Sequence, residues 1–117
     1  MMIRRFSLAA GSLLLIVFLL SCDGHTSVRG HVFDSNGQPI EKALVVLETS
    51  GRKFDIDTSK DGSFDVGLIH APFEVQLSLV VTKAGFKPFK ETFSSRSRPQ
   101  GDHKVVLEKD LSTVTKN

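Results

Sequence analysis

The sequence predicts an all-β protein, a seven-stranded antiparallel sandwich of two sheets. Two observations predict it. After the first 26 residues no helical periodicity of useful length is found, and short runs rich in Val, Leu, Ile, Phe and Thr alternate with turn signals. The turn signals recur at a spacing of roughly 8 to 12 residues, which is typical of sandwiches built from short strands.

The turn residues separate seven predicted strands, at residues 27–33, 43–49, 53–58, 63–66, 73–83, 86–93 and 103–108. Asn36-Gly37 followed by Pro39 ends the first strand, because Asn-Gly adopts positive φ and Pro cannot donate to a ladder. Asp61-Gly62 predicts a hairpin between the third and fourth strands. Pro88 interrupts the sixth strand and indicates an edge or a bulge there.

Alternation of apolar and polar residues predicts which side of each strand is buried. The fifth strand is expected to bury its apolar side, formed by Phe73, Val75, Leu77, Leu79 and Val81. In the third strand Phe54 and Ile56 are expected to point inward. In the second strand Leu44 and Val46 are out of phase with the buried positions, so we expect them to form a small apolar patch on the outer face.

The N-terminal residues have the pattern of a secretory signal peptide. Arg4 and Arg5 precede an apolar stretch at residues 6–20, which is shorter than the roughly 20 residues that a membrane-spanning helix needs. Leu19-Leu20-Ser21-Cys22 resembles the bacterial lipobox, and this implies cleavage before Cys22 and acylation of its thiol and new amino terminus. An ordinary signal peptide with a chance Cys, or an uncleaved helix, is the alternative.

The predicted organisation is therefore a lipoprotein signal peptide at residues 1–21, a lipidated N-terminus and stalk at 22–26, the sandwich at 27–108 and a polar tail at 109–117. The expected location is the bacterial cell envelope, with the domain held outside the cytoplasm by its lipid. Asp23 resembles the inner-membrane retention signal of enterobacterial lipoproteins. Because that rule varies between bacterial groups, the choice between inner and outer membrane stays open.

Charge and cysteine content exclude several function classes. Removal of Arg4 and Arg5 with the targeting segment lowers the 15 Lys and Arg to 13, which equals the 13 Asp and Glu. A neutral domain lacks the basic excess that neutralises phosphates, so we expect no nucleic-acid partner. The single Cys allows no disulfide within the chain.

The stretch at residues 28–47 resembles the opening of a carboxypeptidase regulatory-like domain. It contains Gly-x-Val, then a turn ending Gly-x-Pro-Ile, then Ala-x-Val, and the similarity continues at residues 58–64 and in Lys83-Ala84-Gly85-Phe86. The resemblance covers roughly residues 28–108. It implies a transthyretin-like (prealbumin-like) Greek-key sandwich, a fold used as an accessory module, and it implies no common catalytic residue.

The common motifs of catalysis are absent from the sequence. The chain does not end in the Tyr-Arg-Gly-Ser of the related hydroxyisourate hydrolases, no His is followed three residues later by Glu, and no Gly-x-Ser-x-Gly is present. We therefore expect a protein that is not an enzyme and has no cofactor. If the protein were an enzyme, its site would be assembled from Asp and His residues, and no sequence motif indicates such a site.

Four carboxylates lie around the predicted hairpin: Asp55, Asp57, Asp61 and Asp65. Oxygen ligands of this kind suit calcium, so a weak cation site is a hypothesis here, although the spacing is not that of an EF-hand. The alternative is a solvated acidic sheet face that discourages edge-to-edge aggregation. On balance no bound metal is expected.

Two functional hypotheses remain. The first is a lipid-anchored, non-catalytic adaptor whose sandwich contacts another envelope protein, with Leu44 and Val46 as the partner surface. The second is a binding module for a small ligand, peptide or glycan, with the connections at residues 94–101 and 67–72 as its rim. The absence of Trp and Tyr weakens the glycan version, because sugar stacking would then depend on Phe.

Overall fold

The structure, a computed structural model, describes residues 24–111. Its seven strands are β1 (Gly24–Asp34), β2 (Leu44–Thr49), β3 (Arg52–Asp57), β4 (Ser63–His70), β5 (Gln76–Thr82), β6 (Phe89–Ser94) and β7 (Asp102–Leu107). They form sheet A, in the order β4-β1-β7, and sheet B, in the order β3-β2-β5-β6. The prediction of seven strands in two sheets is confirmed.

Sheet A is mixed, which corrects the prediction of an antiparallel sandwich. β1 pairs antiparallel with β4, whereas β7 runs parallel to β1, with Gly30 opposite His103. All pairs in sheet B are antiparallel. Residues 95–101 carry the chain from sheet B across to sheet A, and this long connection allows β7 to join β1 in the parallel direction.

The core lies between the two sheets and is made of the apolar side chains that alternate with polar ones along the strands. Its members are Val28, Val32, Ile40, Ala43, Val45, Leu47, Phe64, Val66, Leu68, Leu77, Leu79, Val81, Phe93, Val105 and Leu107. Val75, Phe86 and Phe89 pack partly buried against it. The alternation in β2 and β5 therefore predicted the buried side of these two strands correctly.

The predicted hairpin at Asp61-Gly62 is wrong, because β3 and β4 belong to different sheets. The buried Thr58 ends β3: its hydroxyl donates to the Ile40 carbonyl at 2.6 Å and accepts from the Ala43 amide at 2.9 Å. The turn that follows takes the chain over to sheet A. There the Val32 amide donates to the Gly62 carbonyl at 2.8 Å.

Three apolar residues that were expected in the core are exposed. Phe54 is 51% and Ile56 38% exposed, since β3 is the edge strand of sheet B and the opposing sheet has one strand fewer. Phe73 is 66% exposed because β5 begins only at Gln76, so that Phe73 lies in the connection from β4.

Several strand ends also differ from the prediction. β1 begins at Gly24, so residues 24–26 pair with β4 and are no stalk. β4 continues to His70, which leaves little of the predicted loop at 67–72, and β6 begins directly after Pro88. At the C-terminal side, Lys109 forms a bridge with Phe86.

The predicted targeting segment, Cys22 and residues 112–117 lie outside the described residues. Among residues 24–111 no helix has the length and hydropathy needed to cross a membrane.

Candidate functional site

The start of β1 is packed tightly against the end of β4. Gly24 lies opposite His70, and a Cβ at Gly24 would stand 2.6 Å from Cε1 of that ring. The Thr26 hydroxyl lies 2.7 Å from Nε2 of His70, and both residues are buried. The chain therefore enters the fold at a fixed point, two residues after Cys22.

Leu44 and Val46 lie on the outer face of sheet B, as the phase of the second strand predicted. Leu44 is 38% exposed, and Val46 is half-buried opposite the half-buried Val80 of β5. Asp57 and Asp55 of β3 stand opposite Leu44 and Val46 on the other side. The result is a small apolar patch, formed by Leu44, Val46 and Val80, with a carboxylate border.

The four carboxylates of the hypothetical cation site are not brought together. Asp55 and Asp57 lie on the outer face of sheet B, whereas Asp65 lies opposite Arg29 in sheet A. Asp61 is in the turn between the sheets. No group of three or more His, Cys, Asp or Glu suited to a metal ion occurs among residues 24–111. The hypothesis depended on the hairpin, and it fails because that hairpin does not form.

Asp61 instead belongs to a cluster around His31 on the outer face of sheet A. Nδ1 of His31 lies 2.7 Å from Oδ1 of Asp102, and Nε2 lies 3.9 Å from Oδ2 of Asp61. The His31 ring stacks on Phe33, with centroids 6.1 Å apart and planes inclined by 14°. Hydrogen bonds from Ser63, and more weakly the charge of His31, hold the pKa of the Asp61 carboxyl below its ordinary value.

The sequence analysis did not predict this cluster, and it gave no indication that any His is buried. His70 is nevertheless 7% exposed. His103 is half-buried, and its Nε2 lies 2.7 Å from Oε2 of Glu91, so that this pair links β7 of sheet A to β6 of sheet B. No local pattern signals such contacts, because their partners are 12 to 71 residues apart in the chain.

Of the hypothetical ligand rim, the connection at residues 94–101 is held to residues 74 and 75, which follow the other predicted segment, 67–72. The Val75 amide donates to Oγ of Ser95, and the Ser95 amide donates to the Val75 carbonyl at 2.8 Å. Arg96 and Glu74 form an ion pair at 3.8 Å. The connection that leaves β4 and the one that leaves β6 are therefore fastened together.

Exposed apolar side chains collect at the edge where β3 and β4 lie side by side. Phe54, Ile69 and Phe73 are 51%, 52% and 66% exposed. Phe54 and Ile69 line one groove together with Arg52, and Phe73 and Arg52 line an adjoining hollow. This cluster was not predicted from the sequence, because two of its members, Phe54 and Phe73, were assigned to the core.

The fold and the sequence motifs define the class of this protein. The family model of the carboxypeptidase regulatory-like domain matches residues 27–109. The chain belongs to this family, and the resemblance found in its sequence is confirmed. No curated protein matches the chain.

Solved structures share the fold. A 3-chlorocatechol 1,2-dioxygenase from Rhodococcus opacus 1CP is 14% identical with a TM-score of 0.56, covering 76% of this chain and 61% of its own. A chlorocatechol 1,2-dioxygenase from Pseudomonas putida is 11% identical with a TM-score of 0.57, covering 74% of this chain and 61% of its own. The protein thus spans about three fifths of each dioxygenase chain.

These matches contradict the prediction that the chain is not an enzyme, because two proteins that share its fold are chlorocatechol dioxygenases. That prediction rested on absent motifs, and absent motifs do not exclude catalysis on a fold that enzymes also use. At 14% and 11% identity the likeness shows the fold alone, and it gives this chain no activity of its own.

Proposed function

We propose that the protein is a bacterial envelope lipoprotein whose sandwich binds another envelope protein through the outer face of sheet B. The observation that carries the proposal is the apolar patch of Leu44, Val46 and Val80, which interrupts an otherwise polar outer face. When a partner covers neighbouring apolar side chains on a solvent-facing sheet, their removal from water lowers the free energy of the complex. The fitting partner has an apolar contact and basic groups that face Asp55 and Asp57.

The anchor is the second part of the proposal. Residues 1–21 serve as a signal peptide, and Cys22 becomes the acylated N-terminus of the mature chain. Each buried methylene contributes roughly 0.8 kcal/mol, so two or three acyl chains hold a small domain on a bilayer stably. The domain then lies on the periplasmic side of the inner or outer membrane. We also propose that its strand order is a variant of the transthyretin-like Greek key.

A photocrosslinking amino acid at position 44, introduced in the native cells, tests the partner surface. Position 106 is the matched control, since Val106 is an apolar residue of similar exposure, 43%, on the outer face of sheet A. We expect one reproducible crosslinked protein from position 44 and none from position 106. No crosslink at 44, or the same proteins at both positions, would refute the partner surface.

The anchor predicts a further difference in the same experiment. Cys22→Ser removes the acylated thiol, so the domain is no longer held beside its partner and the crosslink at position 44 should be lost. A crosslink of unchanged yield in Cys22→Ser would show that binding does not depend on the anchor.

A further inference from the structure

One end of the sandwich presents exposed apolar and basic side chains together. We call it the basal surface and define it by Arg52, Lys53, Phe54, Ile69 and Phe73. The three apolar members are each at least half exposed, and both basic members are exposed. Large apolar side chains clustered in this way on a small domain mark an interaction surface.

The basal surface is continuous and ordered. Nη1 of Arg52 donates to the Ile69 carbonyl at 3.1 Å, which joins β3 to β4 across the gap between the two sheets. Arg52 also lines both the groove that contains Phe54 and Ile69 and the hollow that contains Phe73. The apolar side chains are therefore held side by side with a cation among them.

The first described residue, Gly24, lies beside this surface. Gly24 pairs with His70, and His70 lines the same hollow as Phe73. Only Asp23 separates Gly24 from Cys22, and two residues of extended chain reach at most about 7 Å. An acyl group on Cys22 would thus hold the bilayer within a short distance of the basal surface.

We propose that the basal surface docks on the lipid bilayer, with its apolar side chains at the acyl boundary and its basic ones at anionic headgroups. This inference rests on the proposed lipid anchor. Neither Arg52 nor Lys53 forms an ion pair within residues 24–111, and Asp65 is the one carboxylate among the residues that line the groove. Basic side chains next to a bilayer are attracted to anionic lipid, and aromatic side chains partition into the interface.

The orientation that results leaves the patch of Leu44, Val46 and Val80 on a sheet face, away from the docked end. β1 runs for 11 residues from the basal end, so the turn at its other end stands about 35 Å away. Gln38, exposed in that turn, is therefore the natural reference position for water.

Spin-label depth measurement tests the docking. Full-length protein, processed and acylated in cells, carries Phe73→Cys or the control Gln38→Cys as its single free thiol, because Cys22 is blocked by lipid. It is reconstituted in vesicles of phosphatidylethanolamine and phosphatidylglycerol. We expect the label at position 73 to lose accessibility to a water-soluble nickel relaxant and gain accessibility to oxygen, and the label at position 38 to stay open to nickel.

A charge-reversal pair tests the role of the cations. Arg52→Glu with Lys53→Glu should return the label at position 73 toward water. Lys42→Glu with Lys60→Glu makes the same charge change in the connections at the far end, and it should leave the label at position 73 unchanged. Circular dichroism confirms that each variant is folded.

The outcomes separate the inference from the proposed anchor. If the mass of the protein shows acylated Cys22 while the label at position 73 is as open to nickel as that at position 38, the docking is refuted and the anchor stands. Shielding from nickel and oxygen together, with spin–spin broadening, would indicate contact with a second copy and would also refute docking. Unmodified Cys22 would refute the anchor and, with it, the inference.

Discussion

Thr26 and His70 share a buried hydrogen bond that fastens the first strand to the end of the fourth. Nδ1 of His70 lies 2.7 Å from the Ala71 carbonyl, which can only accept, so this nitrogen carries the proton. In the neutral ring Nε2 is then an acceptor, and the Thr26 hydroxyl donates to it at 2.7 Å. The contact fixes the point where the chain leaves its proposed anchor.

Removal of the Thr26 hydroxyl should destabilise the fold. Thr26→Val keeps the shape of the side chain but leaves the buried Nε2 of His70 without a donor, which costs about 1–3 kcal/mol. Thr26→Ser keeps the hydroxyl and loses only a buried methyl group, so it should lower the free energy of unfolding by about 1 kcal/mol. Urea unfolding of both variants measures the difference. A Val variant as stable as the Ser variant would show that the hydrogen bond contributes nothing net.

Gly30 is required by the parallel pairing of β1 and β7. A Cβ at this position would stand 1.9 Å from the His103 carbonyl oxygen, a backbone atom that cannot move without breaking the pairing. We expect Gly30→Ala to lower the free energy of unfolding by about 3 kcal/mol, which is the upper end of the usual range for overpacking. Gly37→Ala is the control, because a Cβ at Gly37 would meet nothing within 4 Å. Only the positive φ of +82° disfavours Ala there, and it should lower the free energy of unfolding by about 1–2 kcal/mol. Equal unfolding free energies for the two variants would contradict the pairing.

The exposure of β3 gives a contrast between two residues that face each other. Leu47 is fully buried and lies opposite Phe54, which is 51% exposed. Leu47→Ala should lower the free energy of unfolding by about 2–5 kcal/mol, which is the usual range for a buried Leu. Truncation of a buried Phe costs about 3–5 kcal/mol, but Phe54 is exposed, so Phe54→Ala should lower the free energy of unfolding by only about 1 kcal/mol. Chemical denaturation of the two variants measures this. A larger loss for Phe54→Ala would mean that β3 is covered after all.

Asp61 should make stability depend on pH in the acid range. Its pKa is lowered in the folded protein from an ordinary value of 3.8, chiefly by hydrogen bonds from Ser63. A carboxyl with a depressed pKa contributes stability that is complete above its unfolded value and is lost as the pH falls through its folded value. Asp61→Ala should therefore be less stable than the natural chain at about pH 6, and the difference should shrink below pH 3.8.

Thermal unfolding across this pH range measures the effect of Asp61. Asp55→Ala is the matched control, since Asp55 is also exposed and its carboxylate has no hydrogen bond or ion pair within the described residues. If the natural chain and Asp61→Ala differed in stability by the same amount at every pH, the lowered pKa of Asp61 would not be the cause of the difference.

The sequence predicted the class of fold and most of the buried positions, because alternation reports which side of a strand is apolar. It could not report the place of a strand in its sheet. Phe54 alternates as a core residue does, and it faces inward opposite Leu47, yet an edge strand leaves it exposed. The turn at Asp61-Gly62 carries the same residues whether it closes a hairpin or, as here, joins two sheets.

The candidate sites were predictable only where one strand contains them. Leu44 and Val46 are two residues apart, so their phase alone placed them on the outer face. The basal surface combines β3, β4 and the connection after β4, and the contact of His31 with Asp102 joins residues 71 positions apart. Only the strand order brings such residues together. The early start of β1 was also not predictable, because Gly24, His25 and Thr26 are not apolar and do not have the pattern of a strand.

The most direct test of the central claim is the intact mass and N-terminal peptide of the protein isolated from native membranes. The account predicts a chain that begins at Cys22 and carries a diacylglyceryl thioether, usually with a further acyl group on the amino terminus. Cys22→Ser should show neither. A Cys22 with a free thiol, or a mature chain that begins at another residue, would contradict the lipid anchor on which both proposals depend.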